Sequence, residues 1–104
     1  MKDVRVKGVG PDAPTVTNEA GGSQAAVLYR FDLADPTAMF AMCRVLAEGA
    51  VKYGEQNWRL IEARDHLNHM IIHAYAWLAG DHSDEHLSHC MCRAMMATAV
   101  ALGR

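Results

Sequence analysis

From Pro36 onward, apolar residues recur with the 3.6-residue period of helices, whereas the residues before it show no sustained period. Met39, Met42, Cys43, Leu46 and Ala50 fall at helical spacing and predict a first helix over about 36–53. Asp35-Pro36 marks its start, because an aspartate side chain caps free N–H groups and proline at the first helical position sacrifices no hydrogen bond. Gly54 marks its end. After the turn "YGEQNWRL", a second periodic segment runs from about Ile61 to Ala79 and is closed by Gly80. "GDHSD" is the next break, where Ser83 or Asp84 can cap a third helix that reaches about Leu102, before Gly103. Both connections are short, so the pattern predicts an all-α fold: a small antiparallel helical bundle over 35–104. Residues 1–34, with "PDAPTVTNEAGGSQ", read as an extended N-terminal arm. Within it "AAVLYRFDL" is expected as a short strand or an extended segment packed on the helices, too little by itself for a sheet.

The second and third helices carry an echo. "DHLNHMIIHA" at 65–74 returns as "EHLSHCMCRA" at 85–94, with His73 answered by Arg93, and all six histidines fall between His66 and His89. At about 100° per residue, Leu67, Met70, Ile71, Ala74 and Leu78 form an apolar stripe that should face the core, bordered by His66, His69, His73 and Trp77. The third helix repeats this, with Leu87, Cys90, Met91, Ala94 and Thr98 beside His86, His89 and Arg93. A hairpin folded about residue 82 would set His73 level with His89 to Met91, and His69 beyond Arg93. One wall would then carry His69, His73, His86, His89 and Arg93.

A chain of 104 residues is one small domain, for which oligomerisation would add needed buried surface. Its formal charge of -2 argues against a nucleic-acid binder with a broad basic surface, so any polyanion must be met locally. Cys43, Cys90 and Cys92 are odd in number and sit in apolar helical contexts, as expected of reduced core thiols. Cys90 and Cys92 project about 200° apart on a helix, which disfavours a joint metal or redox role. The N-terminus has no apolar signal segment and no stretch is apolar for about 18 residues, so a soluble, cytoplasmic protein with no membrane partner is expected.

Two chemistries suit the polar stripe. His69-x-x-x-His73 and His86-x-x-His89 are good zinc-ligand spacings, although H-E-x-x-H is absent because Met70 follows His69. The alternative is a phosphate site organised by a hard cation. Carboxylates flank every turn: Glu48, Glu55, Glu62-x-x-Asp65, Asp81-x-x-Asp84 and Glu85. Lys52, Arg59, Arg93 and the histidines would hold phosphate oxygens, with arginine as a bidentate clamp. Arg93 in place of a third histidine favours this second chemistry, since a guanidinium is no ordinary metal ligand but suits a phosphate. Asn57 would read a base or sugar while Trp58, Tyr53 or Trp77 stacks on it. The Walker A loop, the G-x-S-x-G elbow and the G-x-G-x-x-G fingerprint are absent.

"NEAGGSQ", "FDL", "LAEGAVKYGEQNWR", "DHLNH", "H-x-x-A-Y-x-W-L-A-G-D" and "DEHLSHCMCRAMMA" follow one another here. In that order they resemble the phage and prophage family described as dATP/dGTP diphosphohydrolase, N-terminal, over roughly residues 18 to 98. The resemblance implies an all-α, metal-dependent nucleotide pyrophosphohydrolase similar in outline to the MazG-like group. Such enzymes split a nucleoside triphosphate between its α and β phosphates. The usual MazG-like signature pairs E-x-x-E with E-x-x-D. This chain has no E-x-x-E, and Glu62-x-x-Asp65 and Asp81-x-x-Asp84 match only in part.

Residues and resemblance together predict Mg²⁺ or Mn²⁺ held by Glu48 and Asp81, with help from Asp84 or Glu55, activating water for in-line attack on phosphorus. Glu48, Glu55, His69, His73 and His89 are the candidates for moving its proton. Lys52, Asn57, Trp58, Arg59 and Arg93 are expected to bind the nucleotide, and the backbone N–H groups of "GGSQ" to lie against its phosphates. A shallow three-helix site would be completed across a homodimer or homotetramer interface. The competing expectations are a zinc-binding regulatory module and a purely structural helical adaptor, neither with catalysis.

Overall fold

The computed structural model describes residues 6–104, so the first five residues of the expected arm lie outside the described residues. The chain divides into two compact units, Met1–Ala34 and Asp35–Arg104.

The N-terminal unit holds a small sheet that the absence of periodicity concealed. Strands β1 (Thr15–Thr17) and β2 (Ser23–Ala25) pair antiparallel, with Val16 opposite Gln24. Asn18 makes the turn: its side-chain oxygen accepts from the N–H groups of Ala20 (3.0 Å) and Gly22 (2.9 Å), while its carbonyl accepts from Gly21. Gly21 adopts a φ of 89°, open to glycine at little steric cost. The expected phosphate-facing role of "GGSQ" meets an obstacle here, because the N–H groups of Gly21 and Gly22 are already spent on Asn18. Strands of three residues are too short for a period-2 signal to stand out. "FDL" forms a single 3₁₀ turn, Phe31–Leu33, rather than a strand.

The C-terminal unit is helical: α1 (Pro36–Tyr53), α2 (Ala63–Leu78) and α3 (His86–Ala101). Asp35 caps α1 as its chemistry dictates, its carboxylate accepting from the Ala38 N–H at 2.9 Å, and Gly54 ends the helix at a φ of 100°. The turn after α1 contains a 3₁₀ segment, Asn57–Leu60. Helix α3 starts later than Ser83 or Asp84 would place it. Its N-cap is Glu85, with no side-chain cap, because Ser83 bonds to Asp81 and Asp84 accepts from the Glu85 N–H. The chain is therefore mostly helical with a two-stranded sheet, rather than all-α. Among the described residues no helix is long and apolar enough to cross a membrane.

Helix α3 is the centre of this unit, packing along α2 and also on α1. Helices α2 and α3 run antiparallel, but in a register shifted by about one helical turn from a fold about residue 82. His66 meets Arg93, the Cys90 thiol meets the Met70 carbonyl, and His73 meets His86, so these pairs cross near residue 80, while His73 also stacks on His89 as the repeat predicts. Within the connection 79–85, the Asp81 N–H bonds back to the Ala76 carbonyl at 3.0 Å and closes the end of α2.

The apolar stripes of the echo are only partly buried, with Met70, Ala74, Cys90 and Ala94 half-buried and the larger side chains outward. The expected core residues Leu67, Ile71 and Leu78 are 43%, 46% and 70% exposed, and Leu87 and Met91 on α3 are exposed as well. The inner face is taken instead by His66 and His86, buried with Cys92, Ala97 and Met42. Cys43 and Met39 likewise face outward, and the three cysteines are free thiols. Imidazoles tolerate the interior because they are satisfied there: among the described residues no buried side-chain nitrogen or oxygen lacks a partner.

Candidate active site

His69, His73 and His89 of the hairpin and the late part of α1 line a common cleft of about 960 Å³, while the buried His66 and His86 lie behind its wall. From α1 and the turn after it come Glu48, Lys52, Tyr53, Glu55, Asn57 and Trp58. From the α2–α3 hairpin come His69, His73, Asp84, His89 and Arg93, with Cys92, Met95 and Met96 forming an apolar part. Two residues expected at the site do not line it. Arg59 stacks its guanidinium over the Trp58 ring at 4.2 Å and bonds to Gln56. Asp81 is engaged outside the cleft, where its carboxylate accepts from the Ser83 hydroxyl (2.9 Å) and from His86 Nε2–H (2.7 Å). Glu48 and Asp81 are thus not brought together as a cation pair of ligands.

Two hydrogen-bonded chains build the wall. In the first, His66 is fully buried and donates from Nε2 to the Trp58 carbonyl at 2.8 Å. That fixes its Nδ1 as an acceptor, which receives Arg93 Nη1–H at 3.1 Å. The chain ties the turn carrying Trp58 to the arginine across from it. In the second, His86 bridges Asp81 and His73, with 2.9 Å between the two Nδ1 atoms. His73 stacks on His89 with centroids 4.5 Å apart and planes inclined by 11°, and His89 pairs with Asp84 at 3.4 Å.

Electrostatics follow from these contacts. Burial, together with the nearby His89, His86 and Arg93, pushes the His73 imidazole below its ordinary value, with Asp84 opposing. The hydrogen bonds from His86 and Ser83 hold Asp81 below the usual carboxylate range, and the Glu85 N–H does the same for Asp84. Burial raises the Cys90 and Cys92 thiols, which keeps them protonated. Among the described residues Arg93 has no carboxylate partner, and Glu55 has neither an ion pair nor a side-chain hydrogen bond. Glu48 has only a loose pairing with Arg44 at 3.7 Å, exposed on both sides.

No group of three or more His, Cys, Asp or Glu side chains among the described residues is placed to hold a metal ion. His73 and His86 turn nitrogens toward each other, and the other nitrogen of His86 is committed to Asp81. The pattern sets His66 only at the border of the core, with no site role, and places His86 on the expected wall and in a zinc-ligand spacing rather than in the buried, bridging position it takes. The signal that marks them is the echo itself, which places an acid-His pair at the start of each segment.

Fold and cleft together define a small helical protein with an arginine, a lysine and three imidazoles facing one cleft beside free carboxylates. The family model described as dATP/dGTP diphosphohydrolase, N-terminal, matches residues 18–104, and the chain belongs to this family. The description is that of a hydrolase acting on nucleotides. Neither a curated protein nor a solved structure matches the chain.

Proposed function

We propose that the helical unit hydrolyses purine deoxynucleoside triphosphates such as dATP and dGTP between the α and β phosphates, releasing monophosphate and pyrophosphate. The observation that carries this reading is Arg93. The residue is half-buried, lines the cleft, and is held from behind by His66, with no carboxylate partner among the described residues. Among the described residues only one of its two terminal nitrogens has a partner, which leaves the fork open to a phosphate oxygen. Lys52 lines the same cleft and adds a second cation for the polyphosphate. Trp58 and Tyr53 offer ring surface to a base at one end, with Asn57 beside them to bond its edge. The family description names the same nucleotides.

The residues fit a divalent cation that arrives with its substrate. Mg²⁺ and Mn²⁺ commonly take one or two protein carboxylates and complete their shell with phosphate oxygens and water, so a three-ligand protein cage is not required. Glu48 and Glu55 are the cleft carboxylates left free for this; Asp81 is not. When bound, the cation would neutralise phosphate charge and lower the barrier to water attack. Arg93 and Lys52 hold the triphosphate and take up charge on the departing pyrophosphate. The water oxygen bonds to the α phosphorus as the bridge to the β phosphate breaks, and a cleft base takes the proton.

The unit works as a symmetric homodimer or a higher homo-oligomer. Supporting this are the exposed Leu67, Ile71, Leu78, Leu87 and Met91 on neighbouring helices, set against a core with few buried side chains.

Arg93→Gln should lower kcat/KM for dATP or dGTP by about 100-fold, the scale of losing a charged phosphate clamp, with helical content unchanged. Unchanged kcat/KM in that variant would remove the phosphate role of Arg93.

A further inference from the structure

With both imidazoles in their neutral forms, the chain of hydrogen bonds from Asp81 to His73 selects one tautomer. Asp81 accepts from His86 Nε2–H at 2.7 Å, and a neutral imidazole carries a single N–H. His86 Nδ1 is then an acceptor. The nitrogen facing it at 2.9 Å, His73 Nδ1, must donate. His73 Nε2 is thereby left with a bare lone pair. That atom has no hydrogen-bond partner among the described residues, and no buried nitrogen goes unsatisfied there, so Nε2 reaches solvent on a residue that lines the cleft. The His89 ring stacked at 4.5 Å holds the plane of His73.

We propose that Asp81 and His86 are positioning residues that hold His73 in its Nδ1–H form, so that Nε2 accepts the proton of the attacking water. The proposal rests on the hydrolytic reading of the cleft. The balance is complete: the water oxygen bonds to the α phosphorus, its proton goes to Nε2, the phosphoanhydride bond breaks, and its electron pair leaves on pyrophosphate. His73 becomes an imidazolium whose Nδ1–H still donates to His86, and Asp81 fixes the chain from the far end. Asp81 thus acts at a distance through two imidazoles, not as a cation ligand.

The native protein, ¹⁵N-labelled and held at pH 8, above the ordinary imidazole value of about 6.5, should show His73 with a protonated Nδ1 and a bare Nε2 in long-range ¹H–¹⁵N spectra. Asp81→Ala should let both tautomers of His73 appear and lower kcat about tenfold or more with KM nearly unchanged, since a general base contributes to the chemical step. Asp81→Asn, whose amide oxygen can still accept from His86, should restore most of the loss. His73 found as the Nε2–H form in native protein that turns over dNTP would overturn this proposal alone. So would Asp81→Ala that leaves both the tautomer and kcat unaltered. A native protein with the Nδ1–H form but no turnover would instead sink the hydrolytic reading, and with it the acceptor role of Nε2.

Discussion

His66 is fully buried with both ring nitrogens bonded, one to the Trp58 carbonyl and one to Arg93. His66→Ala removes a packed ring and leaves that carbonyl without its donor and Arg93 without its support. Cavity and lost hydrogen bonds together should cost about 2–4 kcal/mol, measurable as a lower urea midpoint. A midpoint within about 0.5 kcal/mol of the parent would mean that the site relaxes and that this chain of bonds does not hold the unit together. At this scale residue type could be read from the sequence but commitment could not. Arg93 stood out because it replaces a histidine in the echo and suits a phosphate, and the structure places it in the cleft. Asp81 and Arg59 have equally suitable chemistry, yet Ser83 with His86, and Trp58 with Gln56, claim them first. Competition among near neighbours for one carboxylate leaves no trace in spacing.

Each of α2 and α3 presents two stripes, and the helical period identified the members of both without deciding which faces inward. A hydrophobic criterion assigns Leu67, Ile71 and Leu78 to the core, but His66 and His73 turn inward because their nitrogens find partners on α3 and in the turn. The bounds of α1 were legible to the residue, since Asp35-Pro36 and Gly54 are local signals. The α2–α3 register was not, because it lies in contacts between the helices, His66 with Arg93, Met70 with Cys90 and His73 with His86, that spacing along one helix does not encode. The exposed apolar residues of α2 and α3 are the surface on which the proposed oligomer would form. Carrying Ile71→Glu and Leu87→Glu together should convert an oligomer of the native protein to monomer in sedimentation equilibrium, since like charges would meet across a symmetric interface. A native protein that is monomeric at every concentration would contradict an interface on this face.

For the whole molecule, the cleft-lining His73 makes stability depend on pH. His73 is held below its ordinary value of 6.5, so on acidification the unfolded chain binds a proton that the folded chain resists. Its contribution is complete above about pH 6.5 and is lost as the pH falls through the lower folded value. The groups around it, His86, His89, Arg93 and Asp84, leave that sign unchanged. Asp81 and Asp84, held below the ordinary 3.8, add a second decline in the same direction at lower pH. Urea midpoints should therefore fall from pH 8 to pH 5, and a midpoint constant or rising across that interval would contradict the inward placement of His73. Composition and length indicate a small domain, and the family description is that of a hydrolase acting on nucleotides. What assembles the site is the meeting of α1, its turn and the α2–α3 hairpin around one cleft, a long-range arrangement that no local pattern encodes. The most direct test is to supply the purified protein with dATP or dGTP and Mg²⁺ in ¹⁸O-labelled water, and to follow the products by ³¹P NMR. Hydrolysis at the α phosphorus predicts monophosphate carrying ¹⁸O, unlabelled pyrophosphate, and no reaction once the cation is chelated. No turnover of any deoxynucleoside triphosphate with Mg²⁺ or Mn²⁺ present, or ¹⁸O in the pyrophosphate, would contradict the account.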